Sequence, residues 1–313
     1  MRIGIDIMGG DFAPEATVLG SILAFRELGQ EDKIVLIGDE SKIKEICTRE
    51  KFDYSVFEIV HTTECIAMGE HPAKALQQKP NSSIAIGFNM LKNQQIDGFS
   101  SAGNTGAMMV GALFTVKQIE GVLRPVIGSL IPNGTDKPTY LLDVGINPDA
   151  KPEVLAQYAL LGSTYYKYMF DIQNPRVALL NLGEEEEKGN LLVKAVYPLL
   201  KESKNINFVG NVEGNDFFNN KKADVVVCDG FVGNIVLKEA EAFYKLLINR
   251  GIHDEFFESF NYENFGGAPI LGVNAPAIIG HGVSTDIAIK NMILQTRHII
   301  KAGLTQHIKE AFK

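Results

Sequence analysis

The chain has 313 residues, 45% hydrophobic and 22% charged, and 30 basic against 38 acidic residues leave a formal net charge of −8. Such a chain buries a sizeable core in roughly one to two domains, and its composition excludes wholesale disorder. The negative balance argues against a general nucleic-acid binder, which needs phosphate-neutralising Lys and Arg. Cys47, Cys65 and Cys228 are too few and too scattered for a disulfide framework or a zinc site, and they fit a reducing, cytoplasmic setting. The N-terminus carries Asp6 and has no long apolar run, so it does not read as a signal peptide. The longest uncharged stretches, 99–116 and 266–285, are broken by Ser, Thr, Asn or Pro and do not read as membrane spans.

In chain order, short apolar runs alternate with helix-period segments. Residues 2–8 predict a strand, 14–29 a helix, 33–38 a strand, 40–51 a helix and 55–62 a strand. Helices follow at 72–78 and 82–93, then a strand at 98–101 and a helix at 105–118. Strands at 126–132 and 140–144 precede a helix at 152–169, a strand at 176–181 and a helix at 190–200. The rest reads as strands at 207–210 and 223–228, a helix at 233–248, a strand at 277–281 and a closing helix at 285–302. This alternation predicts an α/β fold: βα units around a largely parallel sheet with covered faces.

In open α/β sheets, ligands bind at the carboxyl ends of strands, so the strand-to-helix turns are the informative places. Gly9, Gly10 and Asp11 lie in the first, before Pro14. They form either a ligand-facing loop with accessible amides or a tight turn with an Asp cap. Ser101, Gly103, Asn104, Thr105 and Gly106 precede an apolar helix. Small donors and glycines at a helix start suit a phosphate or carboxylate, although a plain helix cap with packing glycines gives the same pattern. Asp143 and Asn147 end another strand, as bound or capping groups. Lys188 follows Glu184–Glu187 in a glycine-flanked loop, either as a cation for an anionic substrate or as part of a solvated charge run. Asp229, Gly230, Gly233 and Asn234 form a further strand–turn–helix. His281 stands between two glycines at a strand end, where an acid/base role competes with a structural one. No dinucleotide glycine fingerprint, P-loop, esterase elbow or zinc motif is present in the sequence.

Together these loops resemble one family. The runs 4–11, 101–107, 143–147, 210–214, 228–234 and 267–272, in this order and spread from residue 1 to about 300, are similar to bacterial phosphate acyltransferase, the acyl-[acyl-carrier-protein]:phosphate acyltransferase of phospholipid synthesis. The resemblance implies attack of orthophosphate on the thioester of a fatty acyl group held by acyl carrier protein. It implies a two-lobed α/β/α sandwich with a cleft, similar to phosphotransacetylase and the isocitrate/isopropylmalate dehydrogenases. In this chain the lobes fall at about 1–135 plus 285–313, and about 136–284. A cytoplasmic homodimer without metal or redox cofactor is expected, with acyl carrier protein and orthophosphate as partners. A membrane acyltransferase partner and peripheral contact with the inner face of the membrane complete the expectation.

Within that resemblance Lys188 and Asn234 rank first as catalytic candidates, because their positions lie in the family's motifs, and His281 third. Lys188 would counter anionic charge. Asn234 or His281 would hydrogen-bond the developing oxyanion, or His281 would protonate the leaving sulfur. The glycine loops would present amides to phosphate. Two departures stand out. Four glutamates precede Lys188 where the family more often has Thr or Ser and Gly, and the stretch 238–266 is shorter and poorer in basic residues than usual. Its apolar residues, among them Phe243, Tyr244, Leu247, Phe256, Phe257 and Phe260, suit either membrane contact or a dimer or core face. Lys74, Lys79, Lys117 and Arg124 are the candidates for a basic patch facing the acidic carrier. The competing readings are a phosphotransacetylase-like enzyme using coenzyme A thioesters and a non-catalytic anion-binding scaffold of lipid synthesis.

Overall fold

The computed structural model describes residues 1–29, 31–218 and 222–313. The first half runs β1 (Arg2–Asp6), α1 (Glu15–Glu27), β2 (Lys33–Gly38), α2 (Glu40–Arg49), β3 (Glu58–His61), α3 (Pro72–Gln78), α4 (Ser83–Lys92), β4 (Gly98–Ser101) and α5 (Thr105–Gly111). Strands β5 (Val126–Ile131) and β6 (Thr139–Leu142) follow, then α6 (Pro152–Phe170), β7 (Arg176–Leu180), α7 (Leu191–Glu202), β8 (Asn207–Val212) and β9 (Val225–Val227). The last elements are α8 (Gly230–Asn249), α9 (Glu255–Glu258), β10 (Ala268–Leu271), β11 (Ala277–Ile279), α10 (Asp286–Lys301) and α11 (Leu304–Ala311).

These elements form two compact units. One joins Met1–Ile119 with Tyr262–Thr305, and the other joins Glu120–Asn261 with Gln306–Lys313. In the first the strand order is β3-β2-β1-β4-β11-β10, all parallel except the β10–β11 pair. In the second it is β5-β6-β9-β7-β8, all parallel except the β5–β6 pair. Strand pairing, rather than the alternation of strands and helices, decides where residues 120–135 and 262–284 belong. β5 enters the second unit against β6, and β11 enters the first against β4.

The sequence makes these strands because parallel sheets bury both faces and so require continuous apolar runs. Every residue of β1 after Arg2 is buried, as is every residue of β2 after Lys33. Each buried Ile or Val contributes about 1.5–3 kcal/mol. Helix starts follow local chemistry: Asp39, Ser82, Asn104, Asn190 and Asp229 each accept a backbone N–H of the helix that they precede. Helix α1 lies so close to α10 that a Cβ on Gly20 would stand 2.6 Å from Ile289 Cβ.

Several elements depart from the expectation. Helix α8 begins at Gly230 rather than 233, because the Asp229 carboxylate accepts the Val232 N–H at 2.9 Å. The helix expected over 105–118 changes to a wider π turn at Ala112–Val116. The four-residue strand β10 contains Pro269, which local propensity reads as a breaker.

Candidate active site

In the first unit the loops after β1, β4 and β11 converge on Asp6. This carboxylate ends β1 at 1% exposure. Its Oδ1 accepts the Met8 N–H at 2.9 Å, and its Oδ2 accepts the Ser101 hydroxyl at 2.7 Å. The same Ser101 oxygen accepts the Gly103 N–H at 2.9 Å. Burial pushes the Asp6 carboxyl above its usual range, and the hydrogen bonds offset part of that rise. Gly9 packs directly on Gly103: a Cβ on Gly9 would stand 2.4 Å from Asp6 Oδ2 and 2.7 Å from Gly103 N. Only glycine permits that approach.

Asn104 is tied into the scaffold at both ends of its side chain. Its Oδ1 accepts the Ala107 N–H at 2.9 Å and caps α5. Its Nδ2 lies 3.0–3.1 Å from the carbonyl oxygens of Ala67, Met68 and Glu70, and so holds the segment that precedes α3. Gly106 faces Pro72, whose Cγ would stand 2.3 Å from an added Cβ. Asp11 and Thr105 are exposed, and Gly10 and Gly106 are half-buried. The Asp11 N–H donates to the Gly282 carbonyl at 2.8 Å, and the Gly280 N–H donates to the Ser101 carbonyl at 2.8 Å. These two bonds bring the His281 loop to the glycine loops. The half-buried His281 ring lies 5.1 Å from the Tyr262 ring, and the Tyr262 hydroxyl donates to the Val283 carbonyl at 2.9 Å.

The second unit repeats the device around Asp143, which is 0% exposed just beyond β6. Its Oδ1 accepts the N–H groups of Gly145 and Ile146 at 3.0 and 2.9 Å. Its Oδ2 accepts the N–H and side-chain amide of Asn147 at 2.7 and 3.1 Å. A carboxylate bonded to its own loop in this way sets the turn, and Gly145 completes it at φ +128. Burial pushes the Asp143 carboxyl up, against these bonds. Burial likewise pushes the neighbouring Cys228 thiol well up, which removes it as a ready nucleophile. Gly230 donates its N–H to the Asn147 carbonyl at 3.0 Å. A Cβ on Gly233 would stand 1.8 Å from the Asp143 carbonyl oxygen. The exposed Asn234 side chain abuts Gly145, its Oδ1 3.3 Å from the place of an added Cβ.

Lys188 lies on the adjacent loop between β7 and α7. Its carbonyl accepts the Asn181 side-chain amide at 3.2 Å. Asn211, from β8, donates to the Glu185 carbonyl at 3.0 Å. Two of the four glutamates before Lys188 find other cations: Glu184 pairs with Lys222, and Glu186 pairs with Lys201 at 2.7 Å. Among the described residues the exposed Lys188 makes no ion pair, and the Glu185 carboxylate lies on the same side of Gly183 as the Lys188 stem. Of the four cations considered for a carrier patch, Lys79 is spent on Glu70 at 2.5 Å.

The structure thus collects Gly9, Gly10, Asp11, Ser101, Gly103, Asn104, Thr105, Gly106 and His281 at one sheet edge of the first unit. It collects Asp143, Asn147, Asp229, Gly230, Gly233 and Asn234 at one sheet edge of the second, with Lys188 on the neighbouring loop. Ser101, Asn104, Asp143, Asn147 and Asp229 spend their side chains on holding loops. Sequence reasoning missed Asp6 as the anchor, although its place before two glycines was visible. It also missed the 67–70 segment, for which no local signal exists, and gave no role to Asn211, although the run 210–214 was among those carrying the resemblance. Among the described residues, no group of three or more His, Cys, Asp or Glu is placed to hold a metal ion. Among the same residues, no helix is long and apolar enough to cross a membrane.

Comparison with known proteins adds the family. Residues 1–307 match the model of a family described as "Fatty acid synthesis protein". A phosphate acyltransferase of Dictyoglomus turgidum is 42% identical over 329 aligned positions, which cover 99% of this chain and 97% of that protein. One from Syntrophomonas wolfei is 43% identical and covers 93% of this chain and 92% of its own. Among solved structures, a phosphotransacetylase from Streptococcus pyogenes superposes with a TM-score of 0.67 at 18% identity, covering 96% of this chain and 94% of that one. The EutD phosphotransacetylase from Staphylococcus aureus superposes with a TM-score of 0.65 at 18% identity, with the same coverage. At that identity these structures speak to the fold alone, and they agree with an α/β architecture of the phosphotransacetylase kind. The family model and the near-full-length identities settle the relationship: this chain belongs to the fatty acid synthesis protein family of phosphate acyltransferases.

Proposed function

We propose that this enzyme transfers a fatty acyl group from its thioester with acyl carrier protein to orthophosphate, releasing an acyl phosphate and the free carrier thiol. Acyl transfer to phosphate, in fatty acid and phospholipid synthesis, follows from the family. The acyl-carrier donor is the further step. One observation carries the reading: an alignment with a phosphate acyltransferase at 42% identity covers 99% of the chain.

In the reaction a phosphate oxygen attacks the thioester carbon, and the carbonyl π pair moves to oxygen. The tetrahedral intermediate then collapses, the carbon–sulfur bond breaks, and the proton of hydrogen phosphate ends on the departing sulfur. Phosphate is already a nucleophile, so the protein's task is to position it and to stabilise the oxyanion. In the first unit the proposed phosphate groups are the amides of the Gly9–Asp11 and Gly103–Gly106 loops and the Thr105 hydroxyl. The buried Asp6–Ser101 pair supports them by holding both loops. His281 is the proposed proton donor to sulfur, recovering its proton from the attacking hydrogen phosphate. In the second unit Lys188 supplies positive charge, and the Asn234 amide, aligned by the Asp143 loop, is the proposed oxyanion donor. The same proposal makes the enzyme a cytoplasmic homodimer that passes its product to a membrane acyltransferase.

The test is release of free thiol from palmitoyl-acyl carrier protein, with and without phosphate. Phosphate-dependent release is expected, falling about hundredfold in Asn234→Ala and in His281→Ala. For Lys188→Ala a raised KM for phosphate is expected. Faster turnover of palmitoyl-coenzyme A than of the carrier thioester would overturn the donor. No release from any thioester would leave an anion-binding scaffold as the better reading.

A further inference from the structure

The loop that carries Lys188 is held from a neighbouring strand. Asn211, 6% exposed near the end of β8, donates its side-chain amide to the carbonyl oxygens of Glu185 and Glu184 at 3.0 and 3.4 Å. The same Glu185 carbonyl accepts the Lys188 N–H at 3.2 Å. One oxygen therefore connects the Asn211 amide to the backbone of Lys188. The far side of the loop is fixed by Asn181, whose amide donates to the Lys188 carbonyl at 3.2 Å, and by Asn190, which accepts the Val193 N–H at 2.9 Å and caps α7. Both backbone polar groups of Lys188 are thus engaged while its side chain stays exposed.

A bulge aims Asn211 at this loop. In the β7–β8 pair Val177 faces Phe208 and Leu179 faces Asn211, so β8 spends one residue more than β7. An extra residue in one strand reverses the side to which the following side chains point. It falls at Val209–Gly210, where Gly210 takes φ +97. Among the described residues a Cβ added there would meet the Tyr197 hydroxyl alone, at 3.9 Å, so backbone conformation rather than packing calls for glycine. Among the same residues the buried Asn211 Oδ1 has no hydrogen-bond partner, which costs stability. Packing alone would favour an apolar side chain at this place. What the amide adds is its hold on the 184–185 backbone.

A lysine side chain is long and rich in rotamers, so its charge is focused only if its base is fixed. We propose that Asn211 is a positioning residue for the reaction: through the Glu185 carbonyl it sets where the Lys188 ammonium stands, and so how well orthophosphate is held. The inference rests on the reading of Lys188 as the countercharge to phosphate and adds the residue that places it.

The test measures phosphate-dependent thiol release from palmitoyl-acyl carrier protein by wild type, Asn211→Asp, Asn211→Ala, Lys188→Ala and each Asn211 variant combined with Lys188→Ala. Asn211→Asp keeps the shape but turns an oxygen, which cannot donate, toward the two carbonyls. Both Asn211 variants are expected to raise KM for phosphate about tenfold, with kcat held within about threefold. In the Lys188→Ala background the same substitutions are expected to change that KM by less than about twofold, because the group they place is gone. Melting curves accompany each variant, and hydrogen–deuterium exchange across 182–189 is expected to speed up by about tenfold in the Asn211 variants. Unchanged exchange there shows that the loop is held without Asn211 and overturns the proposal. Equal fold losses in the two backgrounds also overturn it, because Asn211 then acts independently of Lys188. A wild-type KM for phosphate in the folded Asn211 variants, with a raised one in Lys188→Ala, overturns the positioning role alone. An unchanged KM in Lys188→Ala overturns the reading of Lys188, and the role of Asn211 with it.

Discussion

Ser101 donates its hydroxyl to the buried carboxylate of Asp6 at 2.7 Å, across 95 residues of sequence, and accepts the Gly103 N–H with the same oxygen. One hydroxyl therefore joins the loop after β1 to the loop after β4. Ser101→Ala strands both a buried carboxylate oxygen and a buried N–H. The expected cost is about 1–3 kcal/mol of unfolding free energy, together with a large loss of phosphate-dependent turnover. Denaturant unfolding of the variant checks the first. A change below about 0.5 kcal/mol would remove Ser101 from its linking role.

Gly233 tests the matching contact in the second unit. An added Cβ would stand 1.8 Å from the Asp143 carbonyl oxygen, so Gly233→Ala forces α8 away from the Asp143 loop. Overpacking of this kind costs about 1–3 kcal/mol or more. Gly69→Ala, where nothing lies within 4 Å of the added atom, is expected to be neutral within about 0.5 kcal/mol. Equal thermal midpoints for the two variants would contradict the packing argument.

Asn104 predicts a local effect. Asn104→Asp keeps the acceptor that caps α5 and removes the amide that reaches the carbonyls of Ala67, Met68 and Glu70. Hydrogen–deuterium exchange across residues 66–71 is then expected to speed up by about tenfold or more, while α5 keeps its protection. Unchanged exchange in that segment would show that it is held by other contacts.

The pH dependence centres on Asp32. Burial alone would raise its carboxyl; hydrogen bonds and charge from Arg297, at 2.5 Å, and from the Met1 ammonium, at 3.3 Å, outweigh it and hold the group below its usual value of 3.8. With the folded value depressed, the unfolded chain takes up the proton first as pH falls. The stabilisation is therefore complete above the unfolded value and is lost as pH drops through the folded one. Asp32→Asn is expected to cost about 1–3 kcal/mol at neutral pH and to flatten the acid limb of the stability curve below about pH 4. Parallel acid limbs for variant and wild type, in thermal melts from pH 7 to pH 2, would reject the assignment.

Much of this was legible in the sequence for a local reason. Continuous apolar runs such as Ile34–Ile37 can only be strands covered on both faces, and Asn104 or Asp229 before an apolar helix is a cap wherever the chain goes. The glycine loops at strand ends were equally local, and their order along the chain carried the family resemblance that the full-length identities bear out. Strand β10, with Pro269 inside it, was not legible, because its pairing with β11 decides it rather than propensity. The start of α8 was read late because the glycines at 230 and 233 look like a turn until the Asp143 loop is seen pressing on them.

The sequence by itself thus determined the α/β class, the loops that matter and the chemical types within them. These follow from hydrophobic period and backbone freedom, which act over a few residues. Only the tertiary structure decided what each side chain is for. It spends Ser101, Asn104 and Asp143 on holding loops, and it pairs Glu184 with Lys222 and Glu186 with Lys201. A hydrogen bond saturates one donor and one acceptor regardless of their distance along the chain, so the partner that leaves a group occupied or free is invisible until the chain has folded.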